Sequence, residues 1–179
     1  ISQSVTLTAT TYTYSVYLKA VERSWAVLQF AAGTNAYRTF NLSTGALGTT
    51  TAGTSTSTIT AVGNGWYRCT LTATALAATY QVRIWVASAD SVANYVGVVN
   101  NGIYAWGAQI ETGATASRLI TTTTNALTVN SVPAPWDVEG SLGYLGERTS
   151  VQMLTYSSTF ENAAWGIASG ISIAANTTA

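Results

Sequence analysis

Odd–even alternation of apolar and polar side chains, renewed in one short segment after another, constrains this chain more than any other feature. In "SVTLTAT", Val5, Leu7 and Ala9 share one side, and Ser4, Thr6, Thr8 and Thr10 share the other. In "TYSVYLKA", Tyr14, Val16 and Leu18 alternate with Ser15, Tyr17 and Lys19. The pattern returns at "WAVLQFA", "AYRTFNL", "STITAV", "WYRCTLTAT", "YQVRIWVA", "YVGVV" and "GIYAWGAQIE". Successive side chains of an extended strand point to opposite faces, so each run can bury one face and wet the other. Thr, Val, Tyr and Trp, which fit a pleated surface, fill the runs, and Gly, Asn and Ser separate them. No apolar stripe at the helical period of about 3.6 residues interrupts this series before the last twenty or so residues. The expectation is an all-β protein, an antiparallel β-sandwich of the jelly-roll type.

"VGNGWYRCTLT", residues 62–72, tests whether a residue cluster means chemistry or architecture. "GNG" offers the positive-φ residues of a tight hairpin turn joining "STITAV" to "WYRCTLT". Tyr67, Cys69, Leu71 and Ala73 then lie on one face, and Trp66, Arg68, Thr70 and Thr72 on the other. Cys69 reads as a small buried apolar residue, because no base is at hand to activate it. Trp66 and Arg68 either stack on each other as a cation–π pair or pack beneath a neighbouring loop.

Composition narrows the chemistry further. The chain has no His and a single cysteine, Cys69. Ser-His-Asp and Cys-His nucleophiles, imidazole and thiolate metal sites and intrachain disulfides are therefore not expected. Seven basic and seven acidic residues cancel, and charged residues make up only 8% of the chain. With no cationic cluster to neutralise phosphates, nucleic acid is not an expected partner. No apolar run approaches the roughly 18 residues of a membrane helix, so no membrane is expected either. The lack of disulfides fits synthesis in a reducing cytosol. Because the first residue is Ile1, the sequence reads as a processed or partial chain.

The acids do not assemble a reaction centre on paper. Glycoside hydrolysis needs two carboxylates roughly 5–10 Å apart. Glu22, Asp90, Glu111, Asp137, Glu139, Glu147 and Glu161 are scattered, and no two lie on one strand face. Asp137 and Glu139 fall short of the roughly six to eight oxygens that calcium requires. No enzyme activity, metal or cofactor is expected.

Late in the chain the pattern changes. Both prolines, Pro133 and Pro135, fall in "VNSVPAPWDVEG", after the threonine tract that begins at Thr121. The organisation expected is a sandwich domain over residues 1–125, a connector over 126–146, and the opening segment of a second or strand-exchanged domain over 147–179. Met153, Tyr156, Phe160 and Trp165 in that last segment need a burial partner, either the preceding sandwich or a neighbouring copy.

"YTYSVYLKA", "GNGWYRCTLTA", "GIYAWGAQIETG" and "ERTSVQMLTYSSTFENAAW" resemble the recurrent motifs of a jelly-roll, carbohydrate-binding-module-like domain found in tailed-bacteriophage virion proteins. The resemblance covers residues 12–120 and 147–165. Its motifs are rotated here, with the family's opening segment standing after its closing one. The resemblance implies a structural protein on the virion exterior, a tail fibre, spike or capsid decoration, assembled in the host cytoplasm. It implies other virion proteins and copies of itself as partners, and host-surface polysaccharide as a ligand. A purely structural module, a module of a polysaccharide depolymerase and a secreted bacterial glycan-binding module are the rival readings.

Sugar binding needs an aromatic ring to lie against a pyranose, with amides, carboxylates or Arg holding the hydroxyls. An aromatic on an otherwise polar strand face is the useful mark. In "QVRIWVA", Gln81, Arg83 and Trp85 point away from the apolar set Tyr80, Val82, Ile84 and Val86. In "SWAVLQF", Trp25, Val27 and Gln29 stand opposite Ala26, Leu28 and Phe30. Tyr37 and Tyr95, near turns, complete the candidate set. In "GIYAWGAQIETG", Tyr104, Trp106, Ala108 and Ile110 share a face by strict parity, which puts Trp106 in the core and leaves Gln109 and Glu111 to face outward or cap the strand end.

Overall fold

The computed structural model describes residues 1–32, 35–50, 55–92, 95–122, 127–129, 150–154, 162 and 164–166. The described elements are all strands: β1 (Ser2–Leu7), β2 (Thr11–Ala20), β3 (Trp25–Ala31), β4 (Tyr37–Asn41), β5 (Ala46–Thr50), β6 (Thr56–Gly63), β7 (Trp66–Thr74), β8 (Ala78–Ala87), β9 (Ile103–Thr112), β10 (Leu127–Val129) and β11 (Ser150–Gln152). One sheet has five strands in the order β1-β8-β3-β4-β5, the other four in the order β6-β7-β2-β9, and β10 pairs with β11. Every pairing is antiparallel. The protein is an all-β, jelly-roll-like sandwich.

The core lies between the two sheets and follows the alternation. Val5 and Leu7 from β1, Leu28 and Phe30 from β3, and Tyr80 and Val82 from β8 face Tyr14, Val16 and Leu18 from β2 and Cys69 and Leu71 from β7. Phe30 stands at the centre, edge-on to Tyr14 at 6.1 Å and to Tyr80 at 6.3 Å. Cys69 is fully buried, and burial pushes its thiol well above the ordinary range. The hairpin turn also forms as expected: Gly63 pairs with Trp66, and Asn64 and Gly65 between them take φ of 52° and 77°. Two successive positive-φ residues make the turn whose twist matches that of the strands it joins.

The C-terminal residues that are described pack against this same sandwich. Leu154 and Trp165 are buried in its core. The Met153 N–H donates to Ile110 O at 3.1 Å beside β9. Ser2 and Gly166 exchange backbone hydrogen bonds at the free edge of β1. Removing the Trp165 side chain would cost about 3–5 kcal/mol, the usual penalty for emptying a buried indole site. Tyr156 and Phe160, the prolines, and Asp137, Glu139, Glu147 and Glu161 lie outside the described residues.

Four details of the alternation are corrected. Residues 95–99, "YVGVV", form no strand; Val96 and Val99 are 91% and 84% exposed, with Gly97 between them and no partner strand alongside among the described residues. β5 is a short edge strand that the apolar pattern does not announce. Ala9 lies beyond the end of β1 and is exposed. The largest correction concerns β9. Between Trp106 and Gln109 that strand carries two residues, Gly107 and Ala108, against the single Val16 of β2. Gly107 takes φ of 64°, and this bulge inverts the parity on either side of it. Ala108 and Ile110 therefore stay in the core, while Tyr104 and Trp106 turn outward, 58% and 37% exposed. Gln109 and Glu111 do face outward from the sheet, yet they are buried, because residues 113–122 cover them.

Candidate functional site

Strand register gathers all the candidate residues except Tyr95 onto the outer face of the five-stranded sheet. Arg83 of β8 lies opposite Gln29 of β3, which lies opposite Tyr37 of β4. In the next row outward-facing Trp85 lies opposite Val27, and Val27 opposite Thr39. Trp25 follows, opposite Ala87 on one side and Asn41 on the other. Trp25 and Trp85 are thus diagonal neighbours, a relation that sets backbones roughly 7–8 Å apart and leaves rings within reach of one ligand. Both indoles are half-buried, Gln81 is exposed and Arg83 is half-buried.

Arg83 is held in place. Its guanidinium donates to Gln81 Oε1, from Nε at 3.2 Å, and lies 5.6 Å from the centre of the Trp85 ring. Cation, amide and indole form one flat, amphipathic surface. Gln29 Nε2 donates to Asn35 Oδ1 at 2.8 Å. Gln81 also borders an open depression of about 410 Å³ between β1 and the C-terminal residues Ala164 and Gly166.

The far end of the face is closed by Asp90. Its carboxylate accepts from Thr49 N–H at 2.8 Å and from the Thr49 hydroxyl at 3.0 Å, fastening the loop after β8 onto β5. A Cβ at Gly48 would stand 2.5 Å from Asp90 Oδ1 and 2.9 Å from Trp25 Cζ3, so only glycine lets the acid and the indole settle together. Asp90 is a fastening. Tyr95 belongs elsewhere: its ring lies 4.9 Å from the Arg23 guanidinium, on the loop before β9. Among the described residues no three Cys, Asp or Glu side chains come together as a metal site.

The outer face of the four-stranded sheet is built differently, and sequence reasoning missed it. Residues 113–122 cross it as a strap. Gln109 Nε2 donates to Glu111 Oε1 at 2.8 Å and to Ser117 Oγ at 3.1 Å. Ser117 N–H donates to Glu111 Oε1 at 2.8 Å, and Ile120 N–H to Gln109 Oε1 at 2.7 Å. Arg68 donates to Ser117 O and to Ser15 Oγ, and its guanidinium lies 5.6 Å from the Tyr17 ring centre. Of the two readings of Arg68, packing beneath a loop is therefore the one observed. Trp66 stacks instead on Tyr104, at 6.4 Å and 26°. The signal that could have exposed this was Gly107, a glycine inside a strand pattern.

Comparison with protein-family models finds no match, and neither does comparison with curated protein sequences.

Proposed function

We propose that this chain is a surface-exposed structural protein of a bacteriophage virion that binds host-surface glycans through the outer face of its five-stranded sheet. One observation carries the reading: Trp25, Trp85, Arg83, Gln29 and Tyr37 occupy adjacent cross-strand rows of one outward face. Two indoles offer stacking area, and Arg83, Gln29 and Gln81 offer hydrogen bonds for hydroxyl groups. The motif resemblance to the phage carbohydrate-binding-module-like domain supports the virion setting. Stacking and neutral hydrogen bonds are little screened by salt, which suits adhesion in variable media. Many copies on one particle would turn a weak single-site affinity into firm attachment.

The test is a glycan array followed by titration of the best ligand against Trp85→Ala and Trp25→Ala. Each variant is expected to bind about tenfold more weakly or worse, with the fold retained. Silence across the array, together with burial of Trp85 in a contact between subunits, would favour a purely structural module.

A further inference from the structure

We propose that the aromatic half of the four-stranded sheet's outer face is a second saccharide site, selective for a sugar that bears a carboxylate. It lies on the opposite sheet from the face proposed above and does not rest on that reading. Register divides this outer face in two. At one end the rows are Thr70–Ser15–Gln109 and Thr72–Thr13–Glu111, polar and covered by the strap. At the other they are Trp66–Lys19–Tyr104 and Arg68–Tyr17–Trp106, aromatic and cationic. The strap's end leaves this half open.

What remains there is a cleft of about 580 Å³, lined by Tyr17, Trp66 and Trp106, with Asn64 of the hairpin turn on one side and Arg118 and Leu119 of the strap on the other. Such a volume suits a small ligand. The rings pair off, Trp66 on Tyr104 and Tyr17 on Trp106 at 5.3 Å, so the floor is held before any ligand arrives. The wall is equally fixed, because Gln109, Glu111 and Arg68 all fasten the strap. Preorganisation of this kind lowers the ordering cost of binding.

Charge decides the ligand class. Neither Lys19 nor Arg118 is engaged in an ion pair among the described residues. The acids described there are committed elsewhere: Glu22 to Gly102 N–H, Asp90 to Thr49, and Glu111 to Ser117 N–H and Gln109. An aromatic floor walled by Arg118, which no acid among the described residues pairs, complements a uronic acid, whose ring stacks while its carboxylate meets the guanidinium.

The experiment follows indole N–H resonances of the full chain during titration with a β-1,4-linked glucuronate trimer. Cellotriose, which differs only in lacking C6 oxidation, is the control. Trp66 and Trp106 are expected to shift, with cellotriose bound about fivefold more weakly at low salt, the scale of one partly exposed charge pair. Arg118→Gln should equalise the two trimers. Trp106→Ala should weaken both by about tenfold or more, read at the Trp66 resonance. The unaffected resonances of each variant report that it is folded. The proposal is overturned if neither Trp66 nor Trp106 moves at millimolar trimer, if only Trp25 and Trp85 move, or if Arg118→Gln leaves the preference intact. Self-association lost in Trp106→Ala, without any saccharide shift, would assign the face to a second copy of the chain and equally overturn it.

Discussion

The two outer faces of this sandwich carry the same kinds of residue and use them in opposite ways. On the five-stranded sheet Gln29, Gln81 and Arg83 lie at the surface beside half-buried indoles, bonded among the described residues to one another or to a turn. On the four-stranded sheet Gln109, Glu111 and Arg68 lie under residues 113–122 and hold them down. Similar side chains lie open where no described segment crosses above them and serve architecture where residues 113–122 do. The residue type therefore says less about role than the path of the next loop.

Gly107 creates the difference and is the first place to break it. Its φ of 64° disfavours any residue with a Cβ, and a Cβ there would meet Leu119 Cδ2 at 3.0 Å and Tyr17 Cδ2 at 3.1 Å. Gly107→Val adds backbone strain to a clash between strap and sheet, for a loss of about 3 kcal/mol in denaturant unfolding. Tyr17 and Trp106 fluorescence should change with it, since their rings flank the bulge. A variant that unfolds like the parent would mean that strap and bulge are independent.

Glu111 comes next. Its carboxylate is 2% exposed and receives both Ser117 N–H and Gln109 Nε2. Glu111→Ala leaves Ser117 N–H without its acceptor, removes one of the acceptors of Gln109 Nε2, and should cost about 2 kcal/mol, with hydrogen exchange rising at Ser117 and Ile120. Protection unchanged at those amides would show that the strap is held by packing alone.

This contrast also marks where sequence stops being sufficient. Val5, Leu28, Tyr80 and Leu71 fall in the core because local alternation dictates which way they point, whatever their partners. Trp25, Gln29, Arg83 and Trp85 come together because parity turned them outward and antiparallel pairing then aligned their rows. Parity carried back through Gly107 fails, because one extra residue reverses the count, so Tyr104 and Trp106 are misplaced, while Gln109 and Glu111 keep the outer face and are buried only by the segment that crosses them. The strap was not legible either: residues 113–122 carry no period, and they are positioned by buried groups distant from them along the chain. "YVGVV" failed for a third reason, that alternation permits a strand but a partner must exist to pair with it.

The inner faces extend the comparison to pH. The Tyr80 hydroxyl of the five-stranded sheet accepts from Leu76 N–H at 2.9 Å, while the Tyr14 hydroxyl of the four-stranded sheet has no hydrogen-bond partner. Burial raises the Tyr14 phenol above its ordinary 10.0 and the Cys69 thiol above its ordinary 9.0. The unfolded chain releases these protons at the ordinary values and the folded chain keeps them. The folded state thus binds more protons in alkali, and stability must fall as pH rises. Unfolding free energies from urea titrations should be insensitive to these groups well below pH 9, then drop by up to about 1.4 kcal/mol per pH unit for each group. Cys69→Ala should remove the earlier onset and leave the later one. An earlier onset that persists in that variant would place the titration elsewhere.

The smallest expected effect is the most direct comparison of the faces. Gln29 and Gln81 sit on the open sheet, where water replaces whatever the side chain gives up. Gln29→Ala and Gln81→Ala should therefore shift stability by less than about 0.5 kcal/mol. Gln109→Ala removes the same side chain from a fully buried position and leaves Ile120 N–H without its acceptor, which should cost about 2 kcal/mol. Measured together in one denaturant series, the three variants put a single residue type through both environments. If Gln29→Ala proved as costly as Gln109→Ala, the five-stranded face would be holding structure of its own and could not be the free surface that glycan binding requires.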